Sequence, residues 1–168
     1  MIITPNDFVG TWAITQGYSD TKLQQYIDYY APYYLASLLG LDLFNDFATN
    51  LDNPPLTPEF QKINDAFVYQ LEYNCGLNGV IQPEGIKNML LCVVYAHYQK
   101  EDLGTATSGG KIKLHSEGGE LQTDSYSNTY AIYNRGIKTY RAIQKYITHN
   151  IENYEGYEGI DKQTSWLI

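Results

Sequence analysis

The sequence predicts a mainly α-helical protein: a small helical bundle with one short β-hairpin arm and an extended C-terminal tail. Three observations predict it. Apolar residues recur at helical spacing in several stretches between residues 20 and 150. One interval, residues 104–123, holds five of the chain's fourteen glycines around an alternating run, Lys111-Ile112-Lys113-Leu114-His115. Beyond Asn150 the helical pattern stops. At 168 residues the chain makes one domain with a real core. It divides into an extended N-terminal segment (1–19), a helical part (20–150) carrying the hairpin (105–124), and a tail (151–168).

The elements follow in order. Pro, Gly and Asn among scattered apolar residues mark 4–18 as extended. A helix starts at about Asp20, capped by Ser19 or Asp20, with Leu23, Ile27, Tyr30, Tyr34 and Leu38 on one stripe. Pro32 removes a backbone donor and predicts a kink or break, and Gly40 supplies a stop. "LDLFNDFAT" reads as a short amphipathic helix with Leu41, Phe44 and Phe47 or Ala48 inward, and "NLDNPPL" as a loop. Thr57-Pro58-Glu59 is a helix start, with a cap, a first-turn proline and an acid at the positive end of the dipole. That helix is expected to run to about Leu71, followed by a connection, "YNCGLNGVIQ". Pro83-Glu84 opens another helix, with Ile86, Met89, Leu90, Val93, Val94 and His97 on one side, ending near Gly104. A last long helix spans roughly Ser127 to Asn150, with Tyr133, Ile137, Tyr140, Ile143 and Ile147 as its apolar stripe.

Composition narrows the function. The net charge is −8, which argues against general affinity for nucleic acid, because phosphate binding needs clustered Lys and Arg. The longest apolar run, Met89 to Ala96, is far short of the ~20 residues a membrane span needs. The first residues lack the basic start and apolar core of a secretory leader, and Cys75 and Cys92, without metal-ligand spacing, suggest a reduced compartment or simple filler; we expect folding in a cytoplasm. Seventeen tyrosines fit either a surface half-buried against a partner or a Tyr-rich core.

No motif makes an active site, and we expect neither an enzyme nor a cofactor. Gly104 and Gly109 have the glycine spacing of a phosphate loop, but Gly110 stands where its lysine belongs. There is no Gly-x-Ser-x-Gly elbow. His97 and Glu101 stand four apart on one helix and could both touch a metal, yet no third or fourth ligand accompanies them, and no metal site is expected. Asp42 and Asp46 share a face that lines solvent. The stronger signal is on the last helix. At ~100° per residue, Arg135, Lys138, Arg141, Lys145 and His149 fall within about 120° of one another, beside the apolar stripe. They form either a solvated face or a strip that meets an acidic surface. One candidate for that surface is the tail, where Glu152, Glu155, Glu158 and Asp161 recur every three residues. The tail's Trp166-Leu167-Ile168 is an apolar triplet that either folds back on this chain or plugs into another subunit.

Three blocks carry a family likeness: "IDYYAPYYLASLLGLDLFNDF", a helix, a Leu-Gly stop and a short second helix; "LLCVVYAHYQKEDLGTATSGGKIKL", a helix, a Thr- and Gly-containing turn and a strand; and "SNTYAIYNRGIKTYRAI", the Tyr- and Asn-bearing start of the last helix. Over roughly residues 20–150 the chain resembles the head–tail connector (adaptor) proteins of tailed bacteriophages. The resemblance implies a structural virion protein at the neck. Its identical subunits would form a ring, dodecameric by the resemblance, docked on the portal protein and joined to tail or neck proteins. DNA would pass through the channel without specific binding, and no membrane or cofactor would be involved. In that setting Ile112, Leu114 and Leu121 of the hairpin are expected on a neighbouring chain, since a two-stranded hairpin is marginal alone. Arg135, Lys138, Arg141, Lys145, Glu155, Glu158, Trp166 and Leu167 are the other expected interface residues, with 151–168 as a docking tail. The basic strip departs from what a DNA channel wants if it faces the lumen. The competing classes are a monomeric helical protein-binding module and, less favoured, a small enzyme with a Gly-rich lid.

Overall fold

The computed structural model describes residues 2–14, 20–72, 78–102, 105–107, 110–112 and 124–161. Among them the chain is mainly helical, as the sequence predicts. Two short 3₁₀ turns, Pro5–Asp7 and Gly10–Trp12, occupy the N-terminal segment that was expected to be extended. Ile3 and Phe8 are buried there, and the Lys87 ammonium pairs with Asp7 at 2.6 Å, so this segment is stapled to the body.

Helix α1 (Asp20–Leu39) runs unbroken through Pro32, which is exposed. The predicted break is therefore absent: one lost backbone bond on the solvent side is outweighed by the burial of Leu23, Ile27, Tyr34, Leu35 and Leu38 on the other. The stop at Gly40 is as expected. Gly40 has φ +84°, a left-handed conformation cheap only for glycine, and it starts helix α2 (Leu41–Asp52) after a single residue. In α2 the buried residues are Leu43 and, as expected, Phe47, with Phe44 half-buried against the core, whereas Leu41, expected inward, is 65% exposed.

Helix α3 (Pro58–Asn64) begins at the predicted Thr57-Pro58 signal but ends seven residues before the predicted Leu71. Its continuation is a strand. Phe67, Tyr69 and Leu71 alternate with Val68 and Gln70, a period of two rich in aromatic and branched residues, and the strand geometry wins. Strand β1 (Tyr69–Glu72) pairs antiparallel with β2 (Asn78–Ile81), the stretch expected to be a plain connection, in the register Tyr69↔Ile81 and Leu71↔Gly79. The bond from the Phe67 N–H to the Pro83 carbonyl, 3.1 Å, extends this pairing toward the next helix.

Helix α4 (Gly85–Asp102) is apolar all round over its middle, Met89 to Ala96, and is the centre of the fold, packed by α5 (Asp124–His149), α1 and α3. Ile86, Met89, Leu90, Val93 and Val94 are fully buried. Opposite them stand the predicted stripe residues Ile137, Tyr140, Ile143 and Ile147 of α5, all buried. A Cβ on Gly136 would lie 2.9 Å from the Cβ of Cys92, so the two helices approach closely at that point. Between these helices a second hairpin pairs β3 (Thr105–Thr107) with β4 (Gly110–Ile112). The strand predicted from Lys111 begins one residue earlier, at Gly110, and its described part pairs with the stretch before it in sequence. Residues 113–123 lie outside the described residues, and Leu114 and Leu121 with them.

The C-terminal segment is a correction. After α5 the chain makes a 3₁₀ turn, Ile151–Asn153, and proceeds without α-helix, as expected. Yet residues 151–161 are part of the body and no free docking tail. Tyr154 is 1% exposed and its hydroxyl donates to the Glu59 carbonyl at 2.9 Å. The Glu158 N–H donates to the Leu39 carbonyl (3.1 Å) and the Ile160 N–H to the Ser37 carbonyl (2.7 Å). The Ile160 carbonyl in turn accepts from the Tyr140 hydroxyl and from Gln144 Nε2. The segment thus closes the carbonyls at the end of α1, which a helix end leaves without partners. Trp166 and Leu167 lie outside the described residues. Among the described residues no helix is long and apolar enough to cross a membrane.

Candidate functional site

Helix α5 is long enough to carry two jobs. One stripe packs on α4; the next, a third of a turn away, carries the predicted cations. The structure brings Lys138, Arg141 and Lys145 together along one open groove of about 970 Å³ between α5 and strand β2. The other wall is Val80, Ile81 and Gln82. A second hollow of about 760 Å³ continues past Arg141 and Lys145 to Gln144, His149, Tyr157 and Asp161. Lys138 and Lys145 are exposed and make no ion pair among the described residues.

Arg135 belongs to this strip but has a local task. Its Nε donates to both oxygens of Glu84 (2.8 and 2.9 Å), its Nη2 reaches Glu84 Oε2 at 2.8 Å, and its guanidinium lies 5.7 Å from the Trp12 ring. Hydrogen bonding to Glu84 holds its pKa above the usual arginine value. The bidentate pair locks the start of α4 to α5 and the N-terminal segment and neutralises one of the strip's charges.

Of the four tail acids, Asp161 is the one that lines the cationic hollow. Glu155 instead shares a separate hollow of about 290 Å³ with Asp46, Asn153, Leu43 and Phe60. Glu158 sits over the α1–α2 corner, its backbone N only 2.7 Å from where a Cβ on Gly40 would be. Asp42 and Asp46 are exposed, as predicted. The basic strip and the acid series therefore meet only at Asp161, because the turn at Tyr154 carries Glu155 and Glu158 to the α2 side of the molecule. Ile112 closes β4, its backbone paired with Thr105.

His97, weighed as a metal ligand, is occupied otherwise. Its ring stacks on Tyr30 with centroids 3.8 Å apart, and its Nε2 is 3.0 Å from the Tyr34 hydroxyl, which is 3.4 Å from that of Tyr133. Burial drives the Tyr34 phenol far above its ordinary pKa, so it stays neutral as a hydrogen-bonding partner. Tyr26 and Tyr98 extend this aromatic packing, and Tyr146 and Tyr154 pack together in a second group with Phe67 and Tyr69; the two groups place much of the tyrosine excess in the core. Two tyrosines, Tyr29 (69% exposed) and Tyr33 (53%), are outside it. Among the described residues no three His, Cys, Asp or Glu side chains converge as a metal site would require.

The strip was legible from α5 alone; the opposite wall was not. Val80 and Ile81 were missed because their segment was read as a connection, although "FVYQLEY" and "GVIQ" flank an Asn- and Gly-bearing turn. Two further polar atoms escaped the sequence: Asn134 Oδ1 on the groove and Gln144 Oε1 on the adjoining hollow are buried with no hydrogen-bond partner among the described residues. Comparison of the chain with protein-family models, with curated proteins and with solved structures gives no match.

Proposed function

We propose that the chain is a structural virion protein and not an enzyme: a head–tail connector whose copies form a ring, dodecameric by the resemblance. The ring docks on the portal protein at the neck and links the DNA-filled head to tail or neck proteins. The observation that supports this reading is the cationic α5 groove on a chain of net charge −8, while an acidic hollow with Asp46 and Glu155 sits on a different set of elements. Surfaces of opposite sign on one subunit favour head-to-tail contacts, in which one face of a copy meets the other face of the next. Contacts of that kind give rings when the rotation closes. The acidic remainder suits a channel past which DNA slides, since it offers few cations to hold phosphates.

The test is the mass in solution, measured by analytical ultracentrifugation alone and after mixing with the portal protein of the same virion. A species with several copies per portal ring supports the connector. Unchanged separate masses under assembly conditions refute it and favour the monomeric binding module.

A further inference from the structure

We infer that the groove between α5 and β2 receives an extended acidic segment of a partner protein, which adds as a third strand to the free edge of β2. The inference deepens the connector reading by giving the chemistry of one partner segment, and rests on that reading only for the existence of a partner.

The geometry starts from the hairpin. The sheet has two strands among the described residues, β1 and β2, so β2 has one edge paired and one edge with no described strand beside it. That edge borders the groove: Val80, Ile81 and Gln82 line it, and no residue of β1 does. Successive strand residues alternate between faces. Tyr69 and Leu71 share a face with their partners Ile81 and Gly79, and that face turns to α5, where Tyr69 packs on Tyr146 with ring centroids 4.8 Å apart. Val80 turns the other way and is 63% exposed.

A strand laid beside β2 would therefore present alternate side chains to α5. There it meets Lys138, Arg141 and Lys145. From Lys138 to Lys145 the helix rises about 10.5 Å at ~1.5 Å per residue, while side chains on one face of a strand recur about every 6.6–6.8 Å. Two successive α5-facing positions fit within that span, and carboxylates are the side chains that the exposed Lys138 and Lys145 select. The outward positions would fall beside Val80, where apolar residues gain most. Acid alternating with apolar is the resulting pattern.

One orphan acceptor points the same way. Asn134 lines the groove, and its Oδ1 is buried with no hydrogen-bond partner among the described residues. Buried acceptors are normally satisfied, and a peptide brings N–H donors. A nucleic acid backbone offers phosphates to the cations but no ladder of N–H and C=O groups for a strand edge, so peptide is the better fit.

The test is fluorescence anisotropy on the intact chain at low ionic strength. The probe is a fluorescein-labelled hexapeptide of alternating Glu and Val. The comparisons are its Lys-for-Glu counterpart, the same peptide N-methylated at alternate backbone nitrogens, and a single-stranded DNA hexamer. Saturable binding of the acidic peptide is expected, weakened at least about tenfold by N-methylation, by the lysine exchange, and by the double change Lys138→Glu with Lys145→Glu. Both lysines are exposed, so circular dichroism should show the variant folded, and a second variant, Lys138→Gln with Lys145→Gln, should fall between it and the parent. The inference is overturned if the acidic peptide does not bind, if N-methylation leaves binding unchanged, or if the DNA binds more tightly than the peptide. None of these outcomes depends on ring formation, so the failure of this site and the failure of the connector reading are separable.

Discussion

Replacing Tyr154 decides whether the segment after α5 is part of the fold. The side chain is 1% exposed, its ring packs on Tyr146, and its hydroxyl donates to the Glu59 carbonyl of α3 at 2.9 Å. Tyr154→Phe removes the hydrogen bond alone and should cost about 0.5–1.5 kcal/mol. Tyr154→Ala also removes the ring and leaves a cavity, a change that costs about 3–5 kcal/mol for buried aromatics. For a chain of this length each kcal/mol corresponds to roughly 2–4 °C in Tm. The alanine variant should therefore melt about 6–20 °C below the parent, and the phenylalanine variant only a few degrees below. Thermal melts followed by the helix signal at 222 nm measure both. A drop of less than about 2 °C in Tyr154→Ala would refute the packing argument and restore residues 151–161 to the role of a docking tail.

Three further outcomes are expected. Gly136→Ala should lower Tm by up to about 8 °C, because overpacking at a site where the new Cβ meets that of Cys92 at 2.9 Å costs about 1–3 kcal/mol against a helix-propensity gain of about 1; a higher Tm would show that α4 and α5 part freely. Burial pushes the Cys92 thiol up to about 11, so in a Cys75→Ser chain Ellman's reagent at pH 8 should react only on unfolding; prompt reaction in the native state would contradict its burial. Burial likewise raises the phenols of Tyr34, Tyr140 and Tyr154. A raised folded-state pKa gives stability that is whole below the unfolded value near 10 and lost as pH rises beyond it. The last phenolate absorbance at 295 nm should thus appear together with the loss of helix, and its completion in a still-helical protein would count against these burials.

Much of the fold was legible where one period dominates a long stretch. The stripe of α5 and the apolar run of α4 announce themselves, and Gly40 and Thr57-Pro58 mark the boundaries of α1, α2 and α3 through local backbone chemistry. The failures share a cause: tertiary partners overruled local signals. Pro32 ends no helix because α1 has a buried face on both sides of it. The run after Asn64 becomes a strand because "GVIQ", about ten residues on, supplies an edge to pair with. The segment after Asn150 looks like a tail because its attachments are backbone bonds to Ser37 and Leu39 and a single buried tyrosine, none of which leaves a periodic trace. The same distinction divides the site. The cations of α5 share a helix and can be read from spacing, whereas the wall of β2 and the orphan oxygens of Asn134 and Gln144 arise only when distant segments meet.

The fixed C-terminal segment changes how assembly can work under the proposed function. A loose acidic tail could reach for any cationic face, its own included. Here Tyr154 and the bonds to α1 hold Glu155 and Glu158 on the α2 side, away from Lys138 and Lys145. Glu155 and Glu158 are held off their own molecule's strip, while Asp161 lies at its far end. Separation of the two signs by a rigid scaffold leaves the cationic groove available to another molecule. It also makes the attraction directional: opposite charges steer an approaching partner toward the groove, and added salt weakens that steering. Specific docking then depends on what the groove offers beyond charge, namely the edge of β2 that no described strand covers and the Asn134 Oδ1, which has no partner among the described residues.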